Sequence, residues 1–268
     1  MVFGARHHVS SRNPIMSTSK IALVTGANRG IGYSIAKHLT VAGISVIGTY
    51  HANEDEAKAA EIALSTENAK LRMLQLDIAS HASFTDFAER VKVSLANDFG
   101  QRDLNYVVQN AGNIIHTRFD AASSEQLDNQ YNIHFKGPYL LTAALLPLIR
   151  NGGRILNITS AATRFYLTDH GPYSAMKAAT EVISLYMAKE LGERGITVNA
   201  VAPGAVASDF GGGLVRDDAT INKSLADITP LGRVGQPDDI GAAVRALLSD
   251  DMRWVNGQRI EVTGGQSL

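Results

Sequence analysis

From residue 20 to the C-terminus, short apolar runs of strand length alternate with longer segments whose apolar residues recur at helical spacing. The strand-like runs are KIALVT (20–25), ISVIGTY (44–50), KLRMLQLD (70–77), DLNYVVQN (103–110), RILNITS (154–160), ITVNAVA (196–202) and QRIEVTG (258–264). Between them the periodicity predicts helices over 30–43, closed by Gly43, and over 53–66, 81–97, 123–150, 172–194 and 237–248. Such alternation predicts an α/β fold: a single Rossmann-like, doubly wound domain with a seven-stranded parallel sheet and helices on both faces. The domain is expected to span 18–268, with 1–17 a variable or disordered extension. The stretch 207–229 resembles an insertion. It carries Gly211, Gly212 and Gly213 and follows a strand's carboxyl end, where ligands bind in open α/β sheets, so it is expected to be a mobile substrate loop.

Composition narrows the function classes. Apolar residues make up 45% of the 268-residue chain, enough for one large core. With 25 Lys and Arg against 26 Asp and Glu, no net positive field draws nucleic acid or anionic lipid. No apolar run approaches the roughly 20 residues of a bilayer span. The absence of cysteine excludes disulfides, thiolate metal ligands and a cysteine nucleophile. It also fits a reducing compartment, so a cytoplasmic location is expected, and no metal site is. Residues 1–16 lack the apolar stretch of a secretory signal; their Arg6 and Arg12 with no acid also suit a transit peptide, and Met16 is an alternative start.

The segment TGANRGIG (25–32) joins the first strand to the first helix. Its glycines 26, 30 and 32 differ in spacing from G-x-G-x-x-G but serve the same physics: a tight turn, close backbone approach to a pyrophosphate, and free helix N–H groups facing the anion. Gly26, Asn28, Arg29, Gly30, Ile31 and Gly32 are therefore candidate dinucleotide contacts. NAD binders usually carry an acid about 20 residues further on, for the ribose 2′-hydroxyl. Here Thr49, Tyr50 and His51 occupy that place, and the Arg29 guanidinium can meet a 2′-phosphate bidentately. NADP(H) is the expected cofactor, with NAD(H) second.

Tyr173 and Lys177 stand four apart on one face of the predicted helix 172–194. An ammonium beside a phenol favours phenolate, so Lys177 is expected to lower the Tyr173 pKa from near 10. Ser160, ending the strand 154–160, can bond the substrate oxygen. Tyr33 and Lys37 share the spacing, but no serine-bearing strand end precedes them, and Tyr33 is read as helix packing.

The loop TGANRGIG, Asp77, the triplet Asn110-Ala111-Gly112, the Ser160/Tyr173/Lys177 set and Pro203-Gly204, in that order, resemble the short-chain dehydrogenase/reductase family from about residue 18 to 268. The resemblance implies an oxidoreductase moving hydride between the nicotinamide and a carbonyl or alcohol, of the 3-oxoacyl-thioester-reductase type. It places Asp77 and Ile78 at the adenine, and Asn110, Ala111 and Gly112 beside the cofactor. Lys177 would lie at the nicotinamide ribose, and Val206 and Ser208, after Pro203-Gly204, near the carboxamide. It also implies a homotetramer paired through the helices at 123–150 and 172–194. One position departs from the family: His134 in NIHFKG replaces an asparagine that holds a proton-relay water, and Asn132 does not share its helical face. His134 is carried as a candidate catalytic residue, with helix packing as the alternative. Phe165, Tyr166, Phe210 and Leu214 are candidate walls of a partly apolar substrate pocket. The rival readings are a catalytically silent NADP-binding sensor or scaffold, and a different overall reaction such as dehalogenation or epimerisation.

Overall fold

The computed structural model describes residues 20–268; the expectations for 1–17, including the start at Met16, lie outside the described residues. The strands are β1 (Ile21–Val24), β2 (Ser45–Tyr50), β3 (Leu71–Gln75), β4 (Leu104–Gln109), β5 (Ile149–Ile158), β6 (Thr197–Pro203) and β7 (Arg259–Val262). They pair in the order β3-β2-β1-β4-β5-β6-β7, every pair parallel. The chain reverses its direction of travel between β1 and β4, which opens a crevice at their carboxyl ends.

The helices are α1 (Gly30–Val41), α2 (Glu54–Leu64), α3 (Phe84–Phe99), α4 (Ser124–Tyr131), α5 (Gly137–Leu145), α6 (Gly171–Glu190), α7 (Leu214–Asp217), α8 (Ala219–Asp227) and α9 (Pro237–Leu247). Side chains alternate across a strand, so each strand feeds two cores. Ala22 and Val24 of β1 pack with Ile35 and Leu39 of α1 and Val244 of α9. Ile21 and Leu23 pack on the other face with Phe87, Val91 and Leu95 of α3 and Leu141 and Leu145 of α5.

Three segments differ from the sequence expectation. The helix expected over 123–150 is interrupted by a π-helical turn, Asn132–Lys136, and ends before β5. Pro138 has no N–H to give the carbonyl four residues back, which belongs to His134. That carbonyl instead accepts from Thr180 Oγ1 at 2.7 Å. Strand β5 begins at Ile149 rather than 154, its pairing with β4 shifted in register between Leu104 and Tyr106, with Gly152 at φ 75° inside the irregular stretch. The segment 207–229 is largely helical: α8 forms because Asp218 caps it, Oδ1 accepting from Thr220 N and Ile221 N.

Candidate active site

The crevice between β1 and β4 is built by hydrogen bonds that hold the glycine loop from both sides. Thr25 Oγ1 accepts from Asn110 N at 2.8 Å and Ala111 N at 2.9 Å, while Asn110 Nδ2 donates to Thr25 O at 2.9 Å. On the β2 side, Gly26 N donates to Thr49 Oγ1 at 3.0 Å and Ala27 N to Thr49 O at 2.8 Å. Gly26 turns through φ 66°, a region that favours glycine. At Gly32 a Cβ would overlap the Gly26 carbonyl oxygen and stand 2.6 Å from Asn110 Nδ2. The bare backbone that results, with Arg29 at the N-cap of α1 making no side-chain cap, fits a pyrophosphate at the helix N-terminus. Asn28 Nδ2 donates to Glu56 Oε2 of α2, and Ile31 packs on the core.

The other expected contacts surround this loop. Asp77 accepts from Ala79 N through Oδ1 and lies 3.8 Å from His51 Nε2, while Ile78 is buried. After Pro203, Gly204 leaves room for the Gln266 side chain, which takes the Ala205 N–H at 2.8 Å, and Val206 bridges to Gly235. Ser208 is buried, and its Cβ lies 3.9 Å from where a Gly30 Cβ would be, so the post-β6 loop faces the glycine loop across the crevice.

Ser160, Tyr173 and Lys177 meet beside it. Ser160 Oγ accepts from Ala162 N at 3.2 Å, which leaves its hydroxyl hydrogen for a ligand. Tyr173 and Lys177 are both buried on α6, with Lys177 Nζ 5.6 Å from the Tyr173 ring centre and donating to Ile158 O at 2.8 Å. The Tyr173 hydroxyl and Ser160 form no direct hydrogen bond within 3.5 Å, yet the serine is near enough to pull the phenol's pKa downward. Burial outweighs that pull and raises the Tyr173 pKa to about 12. Burial likewise lowers Lys177 to about 8, against the raising charge of Glu181. The expectation of an acidified tyrosine is corrected here: loss of water around the buried phenol raises its pKa.

Residues 26–267 match the family model described as enoyl-(acyl carrier protein) reductase. A hydroxynaphthalene reductase-like protein of Metarhizium robertsii is 33% identical over 96% of this chain and 98% of its own. The tetrahydroxynaphthalene reductase PfmaG of Pestalotiopsis fici is 31% identical over 97% and 98%. Among solved structures, the angucycline C-6 ketoreductase LanV with bound NADP superposes with a TM-score of 0.87 at 31% identity, covering 93% of this chain and 96% of that one. The chain belongs to the short-chain dehydrogenase/reductase family.

Within this family member, His134 lies beside the site but not free in it. It is 1% exposed, and its Nε2 donates to Asn113 O at 2.7 Å. A carbonyl only accepts, so Nδ1 carries a lone pair, and it finds no partner among the described residues. The ring stands edge-on to Tyr173, centres 5.2 Å apart, and its Cε1 would be 2.7 Å from a Cβ on Gly112. Burial, then the Lys177 charge, push its pKa well below 6.5, so the imidazole is neutral. The backbone carbonyl of Asn132 accepts from His81 Nε2 at 3.2 Å.

Of the four expected wall residues, Phe210 approaches the tyrosine, ring centres 5.8 Å apart. Tyr166 is 83% exposed, and Arg164 rather than a pocket sits over the Phe165 ring. Leu214 opens α7 and is exposed. Two residues that the periodicity did not single out also reach this region: His116, after β4, and His170, at the N-cap of α6, with rings 4.7 Å apart. Neither follows a helical or strand repeat, so only their closeness in sequence to Asn110-Ala111-Gly112 and to Tyr173 could have marked them.

Proposed function

We propose that this short-chain dehydrogenase/reductase is a cytoplasmic, NADPH-dependent ketoreductase in which Tyr173 is the proton donor. The observation that carries this is the meeting of Ser160, Tyr173 and Lys177 at the edge of a crevice whose backbone is shaped for a dinucleotide. Gly26, Asn28, Arg29, Gly30, Ile31 and Gly32 would hold the pyrophosphate and the 2′-phosphate. Asp77 and Ile78 would flank the adenine, and Asn110, Ala111, Gly112, Pro203, Gly204, Val206 and Ser208 the nicotinamide half. When bound, NADPH supplies the hydride. Ser160 donates its free hydroxyl hydrogen to the substrate carbonyl oxygen and holds it beside the tyrosine.

The raised pKa of Tyr173 suits a proton donor. A phenol at about 12 stays protonated through the neutral range. The oxygen it serves becomes an alkoxide, whose conjugate acid is a weaker acid than the phenol and close to water itself. Transfer of the proton from Tyr173 is therefore downhill. Lys177 stabilises the phenolate left behind and would bind the nicotinamide ribose. His134 stays neutral against the tyrosine ring and offers Nδ1 to a relay water.

Two carbonyl classes compete: 3-oxoacyl thioesters, and ketones of hydroxylated polycyclic aromatics. The names of the fungal naphthalene reductases and of the angucycline ketoreductase favour the second. We take the assembly to be a homotetramer, supported by exposed Val182, Leu185 and Tyr186 on α6 and by the aromatic row Tyr131, Phe135 and Tyr139 from α4 to α5. The test is NADPH oxidation against ketones, quinones, aldehydes and 3-oxoacyl thioesters, repeated with NADH. Turnover of a ketone with NADPH supports the reading; no turnover of any carbonyl contradicts it.

A further inference from the structure

The walls around Tyr173 are tied together by side chains outside the proton-transfer set. Phe210 leans on the Tyr173 ring from the loop after β6. The next residue, Gly211, lies against the loop after β4: a Cβ there would stand 3.3 Å from Ile114 Cγ2 and 3.6 Å from His116 Nε2. His116 in turn meets His170 edge to face, rings 4.7 Å apart at 72°. His170 is the N-cap of α6, three residues before Tyr173. The contacts thus lead from Tyr173 through Phe210 and His116 to His170, at the start of the helix that carries the tyrosine.

The backbone fixes this pair. Thr117 N donates to Asp169 O at 3.0 Å, linking the two loops that carry the histidines. Asp169 takes φ 62°, a conformation that costs energy in any residue with a side chain and that marks functional loops more often than chance. His170 Nδ1 lies 2.6 Å from Thr168 O and must be the donor, because a carbonyl only accepts. A neutral imidazole has one N–H, so in that tautomer His170 Nε2 is a lone-pair acceptor. Burial, then the neighbouring His170, lower the His116 pKa, against a smaller raising effect of Asp169.

We infer that His116 and His170 are specificity-determining residues that hydrogen-bond a phenolic or enolic hydroxyl on the substrate, and so select hydroxylated aromatic ketones over ketones without a donor. The inference rests on the ketoreductase reading and deepens it. The acceptor at His170 Nε2 asks for an O–H on the ligand, which a thioester chain or an unsubstituted ring lacks. Phe210, against Tyr173, supplies the flat apolar wall on which an aromatic ring would lie.

The test compares a ring-hydroxylated α-tetralone with its O-methyl ether, which has the same carbonyl and no donor, in NADPH-linked assays of the wild type, His116→Phe, His170→Phe and His170→Asn. The wild type is expected to favour the hydroxylated ketone by about ten-fold or more in kcat/KM, the worth of one hydrogen bond to a committed acceptor. Both phenylalanine variants should bring that ratio toward one, through a raised KM for the hydroxylated ketone, and His170→Asn, which keeps an acceptor, should restore part of it. A ratio that persists in the phenylalanine variants overturns the inference, as does a wild type that treats the two ketones alike. Failure of the wild type to reduce either tetralone also overturns this inference, whereas the ketoreductase reading falls only if no carbonyl of the wider screen is turned over.

Discussion

Burial sets the ionisation of the residues that do the chemistry. Lys177 is held down to about 8 from its ordinary 10.5. The unfolded chain binds that proton more tightly, so stability from this group is least below pH 8 and rises as pH climbs from there toward 10.5. Lys177→Met removes the buried ammonium and is expected to raise the cofactor-free Tm at pH 7 while abolishing turnover, with the Tm gain shrinking as pH climbs through that window. Thermal melts at several pH values check this; a variant less stable than the wild type at pH 7 would contradict it. Arg29 is the cation placed to read a 2′-phosphate, and Arg29→Ala is expected to raise the KM for NADPH about ten-fold, the loss of a charge-assisted hydrogen bond. The KM for NADH, which lacks that phosphate, should hold. The Tyr173/Lys177 spacing, shared with Tyr33/Lys37, pointed to a site only together with the strand end at Ser160, because four residues of helix and one strand end determine who meets whom. That reasoning misjudged the Tyr173 pKa, because depth of burial is a property of the packed molecule. His116 and His170 escaped for a related reason: their closeness comes from two loops with no repeat.

At the scale of elements, the site depends on places where the backbone must lie bare or broken. Gly32→Ala would push a methyl into the Gly26 carbonyl and Asn110 Nδ2, which hold the glycine loop to β4. It is expected to lose NADPH binding and about 1–3 kcal/mol of stability; urea titration and nucleotide fluorescence measure the two losses separately. Apart from the irregular start of β5 at Ile149, strand positions were legible from apolar runs to within a residue or two, since buried parallel strands are apolar on both faces. The interruption at 132–136 was not, although Pro138 announces that the His134 carbonyl must find another donor. Apolar periodicity runs through a π-helical turn almost unchanged, so the pattern on either side looked like one helix. The segment 207–229 hid its helices for the opposite reason: α8 is held by its Asp218 cap and has no fully buried face.

The whole molecule follows from the order β3-β2-β1-β4-β5-β6-β7, which brings the glycine loop after β1, Asn110 after β4, Ser160 after β5 and Ser208 after β6 to one sheet edge. That convergence was legible in outline, because parallel strands joined by right-handed crossovers present all their carboxyl ends on the same side. No described helix is long and apolar enough to cross a membrane. The apolar side chains left on α6 need cover, and light scattering is expected to give the mass of four 28.7 kDa chains; a mass near one chain would contradict the tetramer. The most direct measurement for the account as a whole is Tyr173→Phe, assayed for NADPH oxidation with a ketone substrate and, in parallel, for NADPH binding by fluorescence. Removing one hydroxyl should lower kcat by about a hundred-fold or more, the scale of general acid catalysis, and leave the NADPH Kd within a few-fold of the wild type. Unchanged turnover would show that the proton comes from elsewhere.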